Sequence, residues 1–334
     1  MTEPSAATGP GMPHYGPALL DQLHERVVGR SREAELVVAA LMAGRHLLLE
    51  GPPGTGKSTL LRSVAHDSEQ GFEFVEGNAE LTPARLVGHF DPAQVMESGY
   101  RPDVWVDGPL ARALRDGSLL YLEEINRIPE ETLNLLVTVM SEGELTIPRL
   151  GRIDAHPSFR LVAAMNPFDA VGTARISGAI YDRVCRVSMD YQSEEDEVAI
   201  AQRSGADDIL GAHPNYASRV VQLVRATRDH PDIRVGSSIR GAVDMLLLSV
   251  ELGRLRGRSP VDLGVGLDAA LTALSGRIRL HDSTTRTPEE IITELWRRYM
   301  EPKHSDLPME PSEERPEPGK APGRRAADPT NRRS

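Results

Sequence analysis

The chain has 334 residues and a formal net charge of -11, with 26% charged, 40% hydrophobic and only 4% aromatic residues. That balance argues against non-specific binding along a nucleic-acid backbone, which needs a basic surface, although it leaves room for a local basic pore. A single cysteine, Cys185, excludes an intrachain disulfide, and no apolar run approaches the roughly 20 residues that span a bilayer.

Met1 to Gly16 is rich in Gly, Pro and Ala and lacks a basic start followed by an apolar stretch. It is expected to be a disordered leader without a secretion signal, and a cytoplasmic location is expected with it. From residue 17 onward, strand-like and helix-like segments alternate. His46-Leu-Leu-Leu-Glu50 is a short apolar run ending at a glycine, the pattern of a buried parallel strand, and helical spacing runs from Ser58 to His66. Phe72 to Val75, Ser118 to Leu122, Phe159 to Met165 and Val184 to Met189 predict four more strands. The fold class that follows is α/β, a parallel sheet with helices on both faces. Cys185 lies inside the last of these runs and reads as a buried, inert thiol.

Beyond Tyr191 no further strand is expected. Ser193 precedes three acids and caps a helix, with negative charge favourable in its first turn. Helical spacing continues over Tyr216 to Arg228, Ser238 to Leu252 and Val261 to Leu274, and Thr287-Pro-Glu-Glu290 starts a last helix through Tyr299. Residues 17–191 therefore read as an α/β domain and 192–301 as a small all-helical domain. The stretch 302–334 repeats Pro, Glu, Arg and Ser and cannot bury enough surface to order itself, so it reads as a disordered tail. Its Arg324-Arg325 and Arg332-Arg333 pairs are either solvated or a dock for an acidic partner.

Two motifs carry chemistry. Gly51-Pro52-Pro53-Gly54-Thr55-Gly56-Lys57-Ser58 has the spacing of a phosphate-binding P-loop, with an apolar strand before it and a helix after it. Its glycines let backbone amides turn inward around phosphates, Lys57 brings a cation to the β- and γ-phosphates, and the Ser58 hydroxyl can ligate Mg²⁺. Thr59 follows in the first helical turn, whose dipole favours an anion. ATP and Mg²⁺ are the expected ligands. Leu119-Leu-Tyr-Leu122-Glu123-Glu124 is an apolar strand ending in two acids, whose side chains alternate in direction. Glu123 is assigned to the metal and Glu124 to the base that activates water. P-loop enzymes usually carry Asp at the first position, and the extra methylene of Glu123 moves the carboxylate by roughly 1.5 Å, enough to slow turnover.

With these residues in place the chain resembles AAA+ ATPases and, among them, the MoxR family, over about Leu23 to Arg298. Val27-Val28-Gly29-Arg30 resembles the segment beside the adenine. Glu124-Ile-Asn-Arg127-Ile-Pro-Glu resembles the sequence after the acidic strand, and Leu133 to Gly143 with Glu144 to Ile147 resembles the helix and hairpin before the sensor. Leu161-Val-Ala-Ala-Met-Asn166-Pro167 resembles the sensor strand, and Val171 to Arg183 the segment with the arginine finger. Gly236-Ser-Ser-Ile-Arg240-Gly resembles the second-sensor motif of the lid. The resemblance implies that Asn166 orients the attacking water, that Arg183 reaches a neighbouring subunit's site, and that Arg240 contacts the γ-phosphate of its own subunit. A turn-forming Asn before Pro167, a surface ion pair for Arg183 and an ordinary charged helix start for Arg240 stay open, and Arg175 and Arg186 are rivals to Arg183.

Pro92 to Asp116 holds an insertion with individual detail, where Tyr100 and Trp105 suit either a contact loop on a ring face or packing against the domain's own surface. The resemblance also implies a homo-hexameric ring that hydrolyses ATP to remodel, mature or activate a partner protein in a chaperone-like way. Such a partner is typically one with a von Willebrand factor A domain. Membrane and nucleic acid are not expected as partners. A DNA-dependent motor and a nucleotide-gated assembly protein with weak hydrolysis are the alternatives.

Overall fold

The structure is a computed structural model of the chain and describes residues 13–167, 176–203 and 213–301. Five strands form where the apolar runs predict them: β1 (His46–Glu50), β2 (Phe72–Glu76), β5 (Leu119–Glu123), β8 (Arg160–Met165) and β9 (Val184–Ser188). They join in the order β2-β5-β8-β1-β9, every neighbouring pair parallel. The register aligns Glu50 with both Met165 and Ser188, and Glu76 with Glu123. The loops that follow these strands therefore open at one edge of the sheet, where α/β folds place their ligands.

The two-residue period of a strand sorts the side chains. Leu47, Leu49, Leu119, Tyr121, Val162 and Ala164 turn to one face, against the helices Pro17–Arg26, Ser31–Met42 and Lys57–Asp67. Leu48, Leu120, Leu122, Leu161 and Ala163 turn to the other, against Pro109–Asp116 and Glu130–Glu142. Each fully buried Leu contributes about 1.5–3 kcal/mol, so the sheet is held by aliphatic burial on both faces. Tyr121 adds tilted ring contacts with Phe72 and Phe74 at 5.9 and 5.7 Å.

The remaining described helices, Glu194–Gln202, Tyr216–Ala226, Ile239–Arg256, Leu263–Leu274 and Pro288–Met300, share a separate apolar cluster centred on Val220, Met245, Ala269 and Ile292. Ser193 accepts from the amide of Asp196 at 3.1 Å, and Thr287 and Glu290 cap each other reciprocally at 2.9 and 3.2 Å. This half is not purely helical. β10 (Ile233–Val235) and β11 (Arg279–Leu280) pair antiparallel, correcting the expectation that strands end at Tyr191. Three residues against two are too short to show a period, and only the packing of Ile233 and Ile278 in the cluster brings them together.

Cys185 is a second correction, because it is exposed. β9 is an edge strand of which only Val187 is buried, so an apolar-looking run does not guarantee an interior. In the insertion, β3 (Gly88–Phe90) pairs antiparallel with β4 (Trp105–Asp107), with the helix Pro92–Ser98 between them. Phe90 meets Tyr100 and Trp105 edge-on at 5.1 and 4.9 Å, and the guanidinium of Arg149 lies 3.9 Å over the Tyr100 ring. The aromatics thus pack on their own chain, with Tyr100 still 55% exposed. Arg149 comes from the turn joining β6 (Glu144–Ile147) to β7 (Gly151–Asp154), so the insertion meets that hairpin there. Among the described residues no helix is long and apolar enough to cross a membrane.

Candidate functional site

The P-loop leaves β1 at Gly51 and enters the helix Lys57–Asp67. Gly54 and Gly56 adopt positive φ of 76° and 86°, conformations that a side chain strains. A Cβ on Gly54 would also stand 2.3 Å from Ser238 Oγ, so the loop is pressed against the residue that precedes the helix Ile239–Arg256. Within this tight cradle Lys57 is 8% exposed, and its ammonium donates to the carbonyls of Gly51 and Pro52, each at 2.8 Å. Burial pushes its pKa down to about 8; Glu123 opposes the shift, and Arg240 and Arg30 add to it. Arg240, exposed in the first turn of the helix Ile239–Arg256, therefore lies within electrostatic reach of the cradle.

On the next strand but one, alternation puts Tyr121 and Glu123 on the face that the P-loop helix covers. Ser58 Oγ donates to Glu123 Oε1 at 2.9 Å and lies 3.2 Å from the Tyr121 hydroxyl. The longer side chain of Glu123 thus still reaches Ser58. A hydroxyl and a carboxylate are hard oxygen donors, the kind Mg²⁺ takes while keeping water and phosphate oxygens as its other ligands, so the pair fits that ion. Among the described residues no group of three His, Cys, Asp or Glu side chains could hold a metal without such help.

Glu124 does not continue the strand. Its φ of 52° is left-handed, costly for a residue with a side chain and a frequent sign of a functional turn. Beyond the turn its carboxylate pairs with Arg127 at 3.0 Å, both groups substantially exposed. Asn166 follows β8, whose last carbonyl, Met165 O, accepts from the Gly51 amide at 3.2 Å. The amide side chain therefore stands at the same sheet edge as the cradle.

Arg183 stands apart. Its Nε donates to Ser141 Oγ and its Nη1 to Ala179 O at 2.8 Å, on the surface beside the helix Glu130–Glu142. Its rival Arg186 is paired with Glu50, which is 4% exposed and also accepts from the Tyr181 hydroxyl at 2.9 Å. The other rival, Arg175, lies outside the described residues, as do residues 171–174 of the Val171-to-Arg183 segment. At the N-terminal side, Val28 is half-buried, and a Cβ on Gly29 would stand 2.5 Å from Asp196 Oδ2. Pro53 and Thr59 are exposed along the cradle's rim, and Thr55 is buried beneath it.

Three features escape motif reading. Arg30 is buried and ties the cradle to β9, donating to Thr55 O at 3.0 Å and to Asp190 O. Tyr121 supports Ser58, and burial pushes its hydroxyl pKa up. Glu50 links the strand below the cradle to Tyr181 and Arg186, on either side of Arg183. Alternation along β5 was the available signal for Tyr121; the other two depend on distant partners.

Residues 46–184 match the family profile of the AAA domain, dynein-related subfamily. The gas vesicle ATPase GvpN of Haloferax mediterranei is 27% identical over 267 residues, covering 75% of this chain and 74% of that protein. YeaC of Bacillus subtilis, an uncharacterized protein, is 28% identical over 251 residues, 68% of this chain and 75% of that one. The gas vesicle ATPase GvpN of Ancylobacter aquaticus is 31% identical over 221 residues, 61% of this chain and 60% of its own length. A mutant of RuvB from Thermotoga maritima shares the fold, with a TM-score of 0.51 at 18% identity over 74% of this chain and 71% of that one. Residues 46–184 thus carry an AAA domain, and the chain is an AAA+ ATP hydrolase similar to the gas vesicle ATPases GvpN.

Proposed function

We propose that this ATPase works in the cytoplasm as a ring of copies, a hexamer, and hydrolyses ATP with Mg²⁺ at sites shared between neighbours to remodel, mature or activate a partner protein. The observation that supports this reading is the 2.9 Å contact between Ser58 and Glu123 at the mouth of the cradle, with the left-handed turn at Glu124 next to it. In this reading Gly51 to Thr59 cradle the triphosphate and Ser58 and Glu123 hold Mg²⁺. Bound Mg²⁺ would neutralise charge on the phosphates. Glu124 takes the proton of the attacking water, Asn166 orients that water, and Arg240 contacts the γ-phosphate from the chain's own helical part. Arg183 enters the neighbour's site, where such fingers contribute roughly 10³–10⁵ in rate. Residues 17–191 then form the nucleotide domain and 192–301 the lid, between a leader and a tail.

The client is a protein, for which the net charge of -11 speaks against a nucleic-acid track. A partner with a von Willebrand factor A domain fits the MoxR type, and the names of the GvpN relatives make gas vesicle proteins a concrete client class to test. The test is hydrolysis per subunit over a range of protein concentrations, with and without duplex DNA, alongside native mass spectrometry. Turnover rising with concentration to a plateau as rings form is the expected result. A rate independent of concentration removes the shared site, and stimulation by DNA moves the reading to a motor.

A further inference from the structure

Between β9 and the helix Glu194–Gln202, the linker buries a carboxamide that no motif accounts for. Gln192 is 8% exposed, and its Oε1 finds no hydrogen-bond partner. A buried acceptor left unpaired is costly, so its persistence calls for a partner that binds. The surroundings say where that partner lies. Among the described residues, and beyond its chain neighbours, the one atom within 4 Å of a Cβ built on Gly56, the last glycine of the cradle, is Gln192 Nε2 at 3.8 Å. Arg30 closes the same corner by bonding both Thr55 O and Asp190 O, and Gly29 presses on Asp196. The linker backbone is itself held. Gln192 O accepts from Arg225 Nη1 at 3.1 Å, and Arg228, paired with the fully buried Glu197, lies 3.8 Å over the Tyr191 ring. An anchored backbone thus presents a side chain whose acceptor is unpaired.

The cradle also has a direction. Ser58 and Glu123 mark the end where a metal would sit, so in this reading the base lies away from that pair, toward Gly56 beside Gln192 and Gly29 beside Asp196. We propose that Gln192 selects the base, its carboxamide pairing with the N6 and N7 edge of adenine. Oε1 accepts from the N6 amino group while Nε2 donates to N7, the two-point match that Gln makes with adenine and cannot make with guanine. Guanine offers two acceptors, O6 and N7, along that edge, which would leave Oε1 facing another oxygen. The inference rests on the cradle being the nucleotide site, and it assigns base specificity to a linker residue outside the P-loop.

Competition against a fluorescent ADP analogue on the intact chain tests it, with ATP, GTP and 7-deaza-ATP as competitors. The wild-type chain should hold ATP at least about tenfold more tightly than GTP or 7-deaza-ATP. Gln192→Leu, close in size and apolar, should keep Lys57-dependent binding while the ATP-to-GTP preference falls at least tenfold. An unchanged preference in Gln192→Leu overturns the proposal. If that variant fails to melt cooperatively, the wild-type series decides alone, and 7-deaza-ATP binding as tightly as ATP overturns it. Wild-type ATP binding that survives Lys57→Ala undiminished would instead overturn the cradle reading.

Discussion

Two cations, one at each edge of the sheet, are held in different ways. Lys57 is 8% exposed and grips two carbonyls of its own loop, while Arg183, with a third of its side chain exposed, rests on Ser141 and Ala179 at the surface. The first is placed by a strand, a turn and a helix consecutive in the chain, and its burial lowers its pKa to about 8. The second lies at the surface, just before β9. A surface arginine held by Ser141, Ala179 and the Asp182 carboxylate 4.0 Å away gives up little when it moves, since exposed contacts contribute about 0–1 kcal/mol. The difference separates a group enclosed by its own loop from one held at the surface.

The most forceful way to break this comparison is Arg183→Ala. It should leave ATP binding within about twofold yet reduce hydrolysis by roughly 10³-fold or more, the scale of an arginine finger. Mixing it with Glu124→Gln, also inactive alone, should partly restore turnover, because some interfaces then pair an intact Glu124 with an intact Arg183. Mixed rings that stay inactive would show that Arg183 is not donated. Glu124→Gln by itself should cost roughly 10²–10⁴ in turnover and spare ATP affinity, because an amide cannot accept the proton. Glu123→Asp, which restores the common acid, should match or exceed the wild-type rate; if Glu123→Gln abolishes hydrolysis and Glu124→Gln does not, the two roles are exchanged.

The buried side of the comparison sharpens with pH. With the Lys57 pKa at about 8, the free protein loses this ammonium as pH rises through 8, whereas a bound triphosphate favours the charged form. ATP affinity should therefore fall by up to about tenfold per pH unit above 8, with proton uptake approaching one per site. Calorimetry at pH 9 in buffers of different ionisation enthalpy measures that uptake, and an affinity flat from pH 7 to 9.5 would mean that Lys57 keeps its charge. The smallest effect is expected at the bridge between the two regions. Glu50→Gln retains an acceptor for Tyr181 but loses the ion pair with Arg186, so hydrolysis should drop a few-fold with ATP affinity unchanged. A loss of affinity instead would place Glu50 in the service of the cradle.

The parallel sheet and the P-loop were legible in the chain because their information is local. Apolar runs of about five residues and one glycine-rich turn specify themselves within a few positions. The same locality misled at β9, where Val184 to Val187 looks interior although an edge strand leaves Cys185 exposed, and at the two short strands β10 and β11, which have no period to read. What only the tertiary structure decided is which distant side chains meet. Ser58 and Glu123 are 65 positions apart, and Arg30 and Asp190 are 160 apart. The unpaired amide of Gln192 becomes visible only once Gly56 is beside it. Hydrogen bonds act over about 3 Å and carry no trace along the chain of the partner they will find, so motifs reveal the residues that bind phosphate, and packing alone settles which others surround them.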